Sequence, residues 1–155
     1  AKHKNLHVIG CHLGSMAFDT DLVAERLDRF PNFAVETSSA ISELMDQARE
    51  KVRDFFIRYQ DRIMYASDIS GGTIATDYLI DMSKIGVHWT AEELEKEKTN
   101  LLRKYQRDFD YYATGREIPR NGYTIRGLEL PPEVLKKIFY SNAVNWVPGI
   151  ERDFH

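Results

Sequence analysis

The sequence predicts an α/β fold built on parallel strands, and three observations carry that expectation. The segment Arg62-Ile63-Met64-Tyr65-Ala66-Ser67-Asp68 is an apolar run that ends on an aspartate and breaks at Gly71-Gly72. His7-Val8-Ile9-Gly10-Cys11-His12 has the same shape, ending on a histidine before Leu13-Gly14. Short, nearly continuous apolar runs are the mark of strands buried on both faces, as in parallel sheets. The third observation is rhythm: strand candidates begin about 26–29 residues apart with helical patterns between them, the period of βαβ units. Parallel α/β folds keep their chemistry at the C-terminal tips of the strands, so a histidine and an aspartate at two such tips form half of a metal or acid–base site.

The first strand is expected over about 7–12. Asp19-Thr20-Asp21 then supplies helix-capping chemistry, and Leu22, Val23, Leu27 and Phe30 recur at helical spacing. Pro31-Asn32 stops that helix, and Phe33-Ala34-Val35-Glu36-Thr37 reads as the second strand. Ser38 and Ser39 open a longer helix carrying Ile41, Leu44, Met45, Val52, Phe55, Phe56 and Tyr59, and Gln60-Asp61 turns the chain into the strand at 62–68. Beyond it a helix is expected over 74–85, ended by Gly86. Thr90-Ala91-Glu92-Glu93 is a capping box that starts a long charged helix to about Ala113. Glu93, Glu95, Lys96, Glu97 and Lys98 read as its solvated face, and Tyr105, Phe109, Tyr111 and Tyr112 as packing residues. Residues 116–129 read as loop, punctuated by Pro119 and Asn121-Gly122. Pro131-Pro132 starts a last helix with Leu135, Ile138, Phe139 and Ala143 on one face, ended by Pro148-Gly149.

The chain has 155 residues and a formal net charge of −3, enough for one core and without the clustered Lys and Arg of a nucleic-acid interface. No run approaches the roughly 18 apolar residues of a membrane span. The single cysteine, Cys11, has no internal disulfide partner. The chain opens on Ala1-Lys2-His3-Lys4 and enters a core strand almost at once, so it reads as a piece of a longer protein, with any targeting segment upstream and the cytoplasm favoured as its compartment.

These motifs, in order, resemble the C-terminal half of the amidohydrolase family of metal-dependent (β/α)8-barrel (TIM-barrel) hydrolases. Gly10-Cys11-His12-Leu13-Gly14 matches a strand ending in His-x-Gly, and Phe30-Pro31-Asn32-Phe33 a Pro-Asn-aromatic strand start. Glu36-Thr37-Ser38 matches a strand ending in an acid plus Thr or Ser. Asp61-Arg62-Ile63 through Ala66-Ser67-Asp68 matches the terminal aspartate strand, and Asn142-Ala143 the closing helix. The likeness covers residues 5–70 well and 128–148 less closely; nothing is carried over to 72–127. It implies strands 6–8 of the barrel, with 71–127 a helical insertion covering the barrel and 130–147 the closing helix. A whole barrel needs roughly 250 residues, so the N-terminal half, with the first-strand His-x-His pair and a fifth-strand ligand, is expected upstream.

Alternation along the strands puts Met64, Ala66 and Asp68 on the inner face, and by the same parity Val8, Gly10 and His12, with Ile9 and Cys11 against the helices. The resemblance implies that Asp68 binds a divalent metal and takes a proton from the water it activates, a metal lowering that water's pKa from about 15.7 to about 7. Otherwise Asp68 is a turn or N-cap residue. His12 is a second metal ligand, a group that polarises the substrate carbonyl, or a core histidine bonded to backbone. Glu36 either steadies His12 or a ligand or sits in a buried salt bridge. Arg62 and Asp61, at the opposite strand end, serve stability, and His88 and Trp89 are candidates to cover the pocket. The cofactor implied is zinc, with manganese or iron as alternatives.

The expected activity is attack of metal-activated water on an amide, ester or lactone carbonyl. A decarboxylase uses the same residues, and a non-catalytic α/β binding module is the reading outside enzymology. A flavodoxin-like or Rossmann-like nucleotide domain is disfavoured because no G-x-G-x-x-G follows any strand. The partners expected are a small-molecule substrate, the missing half-barrel and, as an option, further copies in a homo-oligomer.

Overall fold

Apolar β-formers at Val8–Gly10 (β1), Phe33–Glu36 (β2) and Ile63–Met64 (β3) pair as a parallel sheet in the order β1-β2-β3 in a computed structural model that describes residues 6–68 and 90–150. Gly71-Gly72, the helix expected over 74–85 and the pair His88-Trp89 lie outside the described residues. The strands register Val8 with Phe33, Gly10 with Val35, Val35 with Ile63 and Glu36 with Met64. α2 (Thr20–Arg29) and α4 (Arg49–Arg58) cover one face, where Val23, Leu27, Val35, Val52, Phe56 and Ile63 are buried.

That register corrects the parity expected for β1. Paired residues of parallel strands share a face, so Gly10 lies with Val35 on the helix side, and a Cβ there would sit 2.7 Å from the Phe33 ring. Ile9 instead shares the other face with Ala34, as Met64 does with Glu36. Cys11 is exposed rather than packed on helices. For β3 the expected alternation holds, with Ile63 in the core cluster and Tyr65 packed against it.

The single helix expected after Ser38-Ser39 is two, α3 (Ile41–Met45) and α4. Gln47 breaks it by turning its amide outward: Nε2 donates to Ala17 O at 2.7 Å, and Oε1 accepts from Thr20 N at 2.9 Å. α5 (Ala91–Ala113) begins at the expected capping box, with Thr90 Oγ1 and the Glu93 carboxylate each accepting from the other's backbone N–H. Glu93, Glu95 and Lys96 are exposed, while Tyr111 and Tyr112 are buried, Tyr112 against Phe56 and Phe139 and Tyr111 against Tyr112; Phe109 is half exposed.

Residues 116–129, expected to be loop, hold a hairpin: β4 (Glu117–Arg120) pairs antiparallel with β5 (Tyr123–Arg126) across Asn121-Gly122, whose φ values of 39° and 88° are those of a tight hairpin turn. Pro119 and a single buried apolar residue, Ile118, mask its strand pattern. Arg120 anchors it, donating to Asp46 at 2.8 Å and to Ser42 O at 2.9 Å. The last helix runs as α6 (Pro132–Lys136), a π-helical segment Lys137–Ser141 and α7 (Asn142–Trp146).

The N-terminal end of β3 is an anchoring region, as its position implied. Arg62 donates to Leu27 O at 2.7 Å, Lys137 pairs with Asp61 at 2.7 Å, and Trp146 Nε1 donates to Asp61 O at 3.0 Å. Among the described residues no strand pairs with the outer edge of β1, and Val8 and Phe30 are partly exposed beside an apolar cleft of about 420 Å³ lined also by Met16 and Phe33. No helix among the described residues is long and apolar enough to cross a membrane.

Buried Asn142 stitches α7 to the sheet, its amide donating to Gln60 O and Ile63 O at 2.7 Å each. Asn142→Leu leaves both carbonyls without that donor and is expected to cost about 1–3 kcal/mol. The check is a lower urea midpoint at unchanged slope.

Candidate active site

Beyond Gly10 the backbone turns left-handed. In the turn α1 (Cys11–Ser15), φ is 52° at His12, 53° at Leu13, 68° at Gly14 and 60° at Ser15. Such angles cost about 1–2 kcal/mol for each residue that carries a Cβ, so the turn persists only because its surroundings hold it. Leu13 is fully buried in the core. The His12 N–H donates to Glu36 Oε1 at 2.9 Å, and the ring donates from Nδ1 to Ser38 O at 2.7 Å.

Glu36 ends β2 and is buried. Its Oε2 accepts from Ser38 N at 2.8 Å and from Ser38 Oγ. Its bond to the His12 N–H is the contact of a group that steadies His12, and among the described residues it pairs with no cation. Thr37 joins β2 to the β3 extension, its N–H donating to Met64 O at 3.0 Å and its Oγ1 accepting from Ala66 N at 3.2 Å. Ser39 is again left-handed, φ 48°, and its Oγ donates to Asp68 Oδ2 at 2.7 Å; Asp68 itself has φ 51°. Strained backbone thus recurs at all three strand tips, where functional sites concentrate it.

The structure brings His12 and Asp68 to the same end of the sheet, through the chain of contacts His12–Ser38 and Ser39–Asp68. His12 arrives there by the left-handed turn and not by strand alternation. Because a carbonyl can only accept, Nδ1 carries the proton of the neutral ring and Nε2 carries the lone pair. That places His12 to bind a cation or accept a proton; donating to a developing oxyanion would require the imidazolium. Both His12 and Asp68 are exposed, and a cleft of about 410 Å³ beside His12 is lined by Ser15, Ser39, Ser42 and Glu43.

The local field is negative. The Glu36 carboxylate beside Cys11 is the main cause that holds its thiol above the usual range, and Asp68 adds to the effect. An imidazole lone pair and a carboxylate in such a field suit a divalent cation as two of its ligands. Among the described residues no group of three or more His, Cys, Asp or Glu could hold a metal. The contacts of Ser38 and Ser39 with His12, Glu36 and Asp68 were not expected from the sequence, where the pair reads as a helix start and Ser38 only as the end of the Glu36-Thr37-Ser38 motif; their place directly after a strand-terminal acid was the available signal.

Glu36→Gln replaces an acceptor-only group that receives three donors, and is expected to cost about 1.5–3 kcal/mol of stability. It also removes the charge that disfavours the thiolate, so the Cys11 titration midpoint falls toward its ordinary range. Alkylation of the Cys11 peptide by iodoacetamide at pH 8 is expected to speed up in the variant.

A family model described as amidohydrolase matches residues 1–148, running through the long helix and the hairpin as well as the strands. No curated protein and no solved structure matches the chain. The match spans nearly the whole chain, and the chain belongs to the amidohydrolase family, whose fold is the TIM barrel.

Proposed function

We propose that this chain is the C-terminal half of a metal-dependent TIM-barrel hydrolase, its three strands being the sixth to eighth, acting on an amide, ester or lactone of a small molecule. The convergence of His12 and Asp68 at the tips of parallel strands carries the reading. The β1 edge, unpaired among the described residues and flanked by an apolar cleft, supports the half-barrel, because unpaired strand edges are removed by barrel closure. In that arrangement the described part of the segment expected as an insertion over 71–127, residues 90–127, covers the barrel, and 130–147 is its closing helix.

His12 Nε2 and the Asp68 carboxylate would hold the metal, zinc first, with the remaining ligands from the other half. When bound, the metal would make hydroxide available at neutral pH and polarise the carbonyl. Asp68 accepts the proton of the attacking water, and Ser39, which lines the cleft, holds that carboxylate by donating to Oδ2. The Ser38 carbonyl fixes the ring of His12 in the tautomer that presents Nε2, and Glu36 holds the His12 backbone N–H.

Asp68→Asn in the full-length protein is expected to lose or weaken one metal per chain by elemental analysis and to lower turnover at least a hundredfold, with the fold retained by circular dichroism. Unchanged metal content together with unchanged turnover would sink the proposal. Carbon dioxide release in place of a hydrolysis product would move the same residues to a decarboxylase.

A further inference from the structure

The most enclosed carboxylate of α5 is one that the proposed chemistry does not use. Asp108 is 2% exposed, yet three donors converge on it. Lys104 Nζ reaches Oδ2 at 3.2 Å, Tyr65 OH donates to Oδ2 at 3.1 Å, and Arg107 Nη2 reaches Oδ1 at 3.0 Å. A carboxylate removed from water is tolerated only with such compensation.

Lys104 has a second partner. Its Nζ donates to Ser67 O at 2.9 Å. Asp108 is therefore linked twice to the extension of β3, directly at Tyr65 and through Lys104 at Ser67, the residue before Asp68. The Ser67 C=O and the Asp68 N–H belong to one planar peptide unit. Holding that oxygen fixes the plane from which the Asp68 side chain is launched, at a residue whose φ of 51° is costly for an L side chain. Asp68 is held at two points: Ser39 grips its carboxylate and Lys104 its peptide.

We propose that Lys104, aligned by Asp108, is a positioning residue for Asp68, clamping the Ser67–Asp68 peptide so that the carboxylate meets a divalent cation at the strand tips. The inference rests on the reading of Asp68 as a metal ligand. It gives α5 a part in the site besides packing: its apolar end docks on the core through Tyr111 and Tyr112, and about one and two turns earlier Asp108 and Lys104 reach the extension of β3. Groups that orient a ligand from behind typically change metal affinity about ten- to a hundredfold when removed.

The test titrates Mn2+ alone into the full-length protein and follows amide exchange across residues 65–68 without metal. The variants are Lys104→Met, Lys104→Arg, Asp108→Asn and Asp68→Asn. Lys98→Met, from a pair with Glu95 at 2.7 Å farther along α5, controls for loss of a helix charge. Lys104→Met is expected to weaken Mn2+ binding about tenfold or more and to speed exchange at 65–68. Lys104→Arg should restore much of both, and Lys98→Met should change neither. If Lys104→Met does not fold, Asp108→Asn gives the same reading, because it frees the Lys104 ammonium while keeping the shape of the side chain. Wild-type affinity and exchange in Lys104→Met, with binding lost in Asp68→Asn, would overturn the clamp. If Asp68→Asn binds Mn2+ like the wild type, the metal reading fails instead, and exchange alone then decides the clamp: faster exchange upholds it and unchanged exchange rejects it.

Discussion

The Glu36 carboxylate is the constraint on which the strand-tip region depends. It is buried at the end of the middle strand and accepts from the His12 backbone, the Ser38 backbone and the Ser38 hydroxyl. A carboxylate is acceptor-only, and hydrogen bonds to a charged acceptor are roughly twice as strong as neutral ones. The coupling runs both ways. The charge can be buried because two loops bring N–H and O–H groups to it, and the loops hold their shape because the charge is there.

That interaction balances a local cost. His12, Leu13 and Ser15 adopt a helix hand that L residues avoid, and Ser39 and Asp68 repeat the deviation at the neighbouring tips. The opposing terms are the fully buried Leu13 side chain, worth about 1.5–3 kcal/mol, the Glu36 bonds and the ring bond from His12 to Ser38 O. Among the other described residues that carry a side chain, positive φ recurs at Asn121 and Glu129, both outside the strands and helices that build the core. The helix-covered face of the core is ordinary aliphatic and aromatic packing, which gives the strained tips a rigid base.

Two kinds of packing meet at the β3 extension. On the helix side Tyr65 lies against Phe139 at 4.8 Å between ring centroids, and its N–H donates to Ile138 O at 2.8 Å. The expected strand over 62–68 keeps sheet pairing only at Ile63–Met64, because beyond Met64 its polar groups are taken by Thr37, by the π-helical segment and by Lys104. The end of the strand is therefore shaped by side chains and helices more than by the ladder, and those attachments come from residues some 30 to 70 positions distant.

The sequence by itself determined the parallel α/β class, the order of the three parallel strands, the capping box at Thr90 and the family, because apolar runs, cap chemistry and motif order are local signals. It also named His12, Glu36 and Asp68, since acids and imidazoles at strand ends stand out against apolar neighbours. Only the tertiary structure decided how those groups meet. The register of β1 on β2 reverses the parity that alternation assigns to β1, the left-handed turn carries His12 to the tip, and nothing local in His12-Leu13 announces a positive φ when the force that holds it comes from Glu36. The roles of Ser38 and Ser39, and the reach of Lys104 to Ser67, were likewise illegible: each depends on a partner at least 26 residues away or on a neighbouring strand tip. The hairpin at 117–126 escaped for a different reason, since its stability comes from Arg120 on Asp46 and from a single buried isoleucine, not from an alternating pattern of its own.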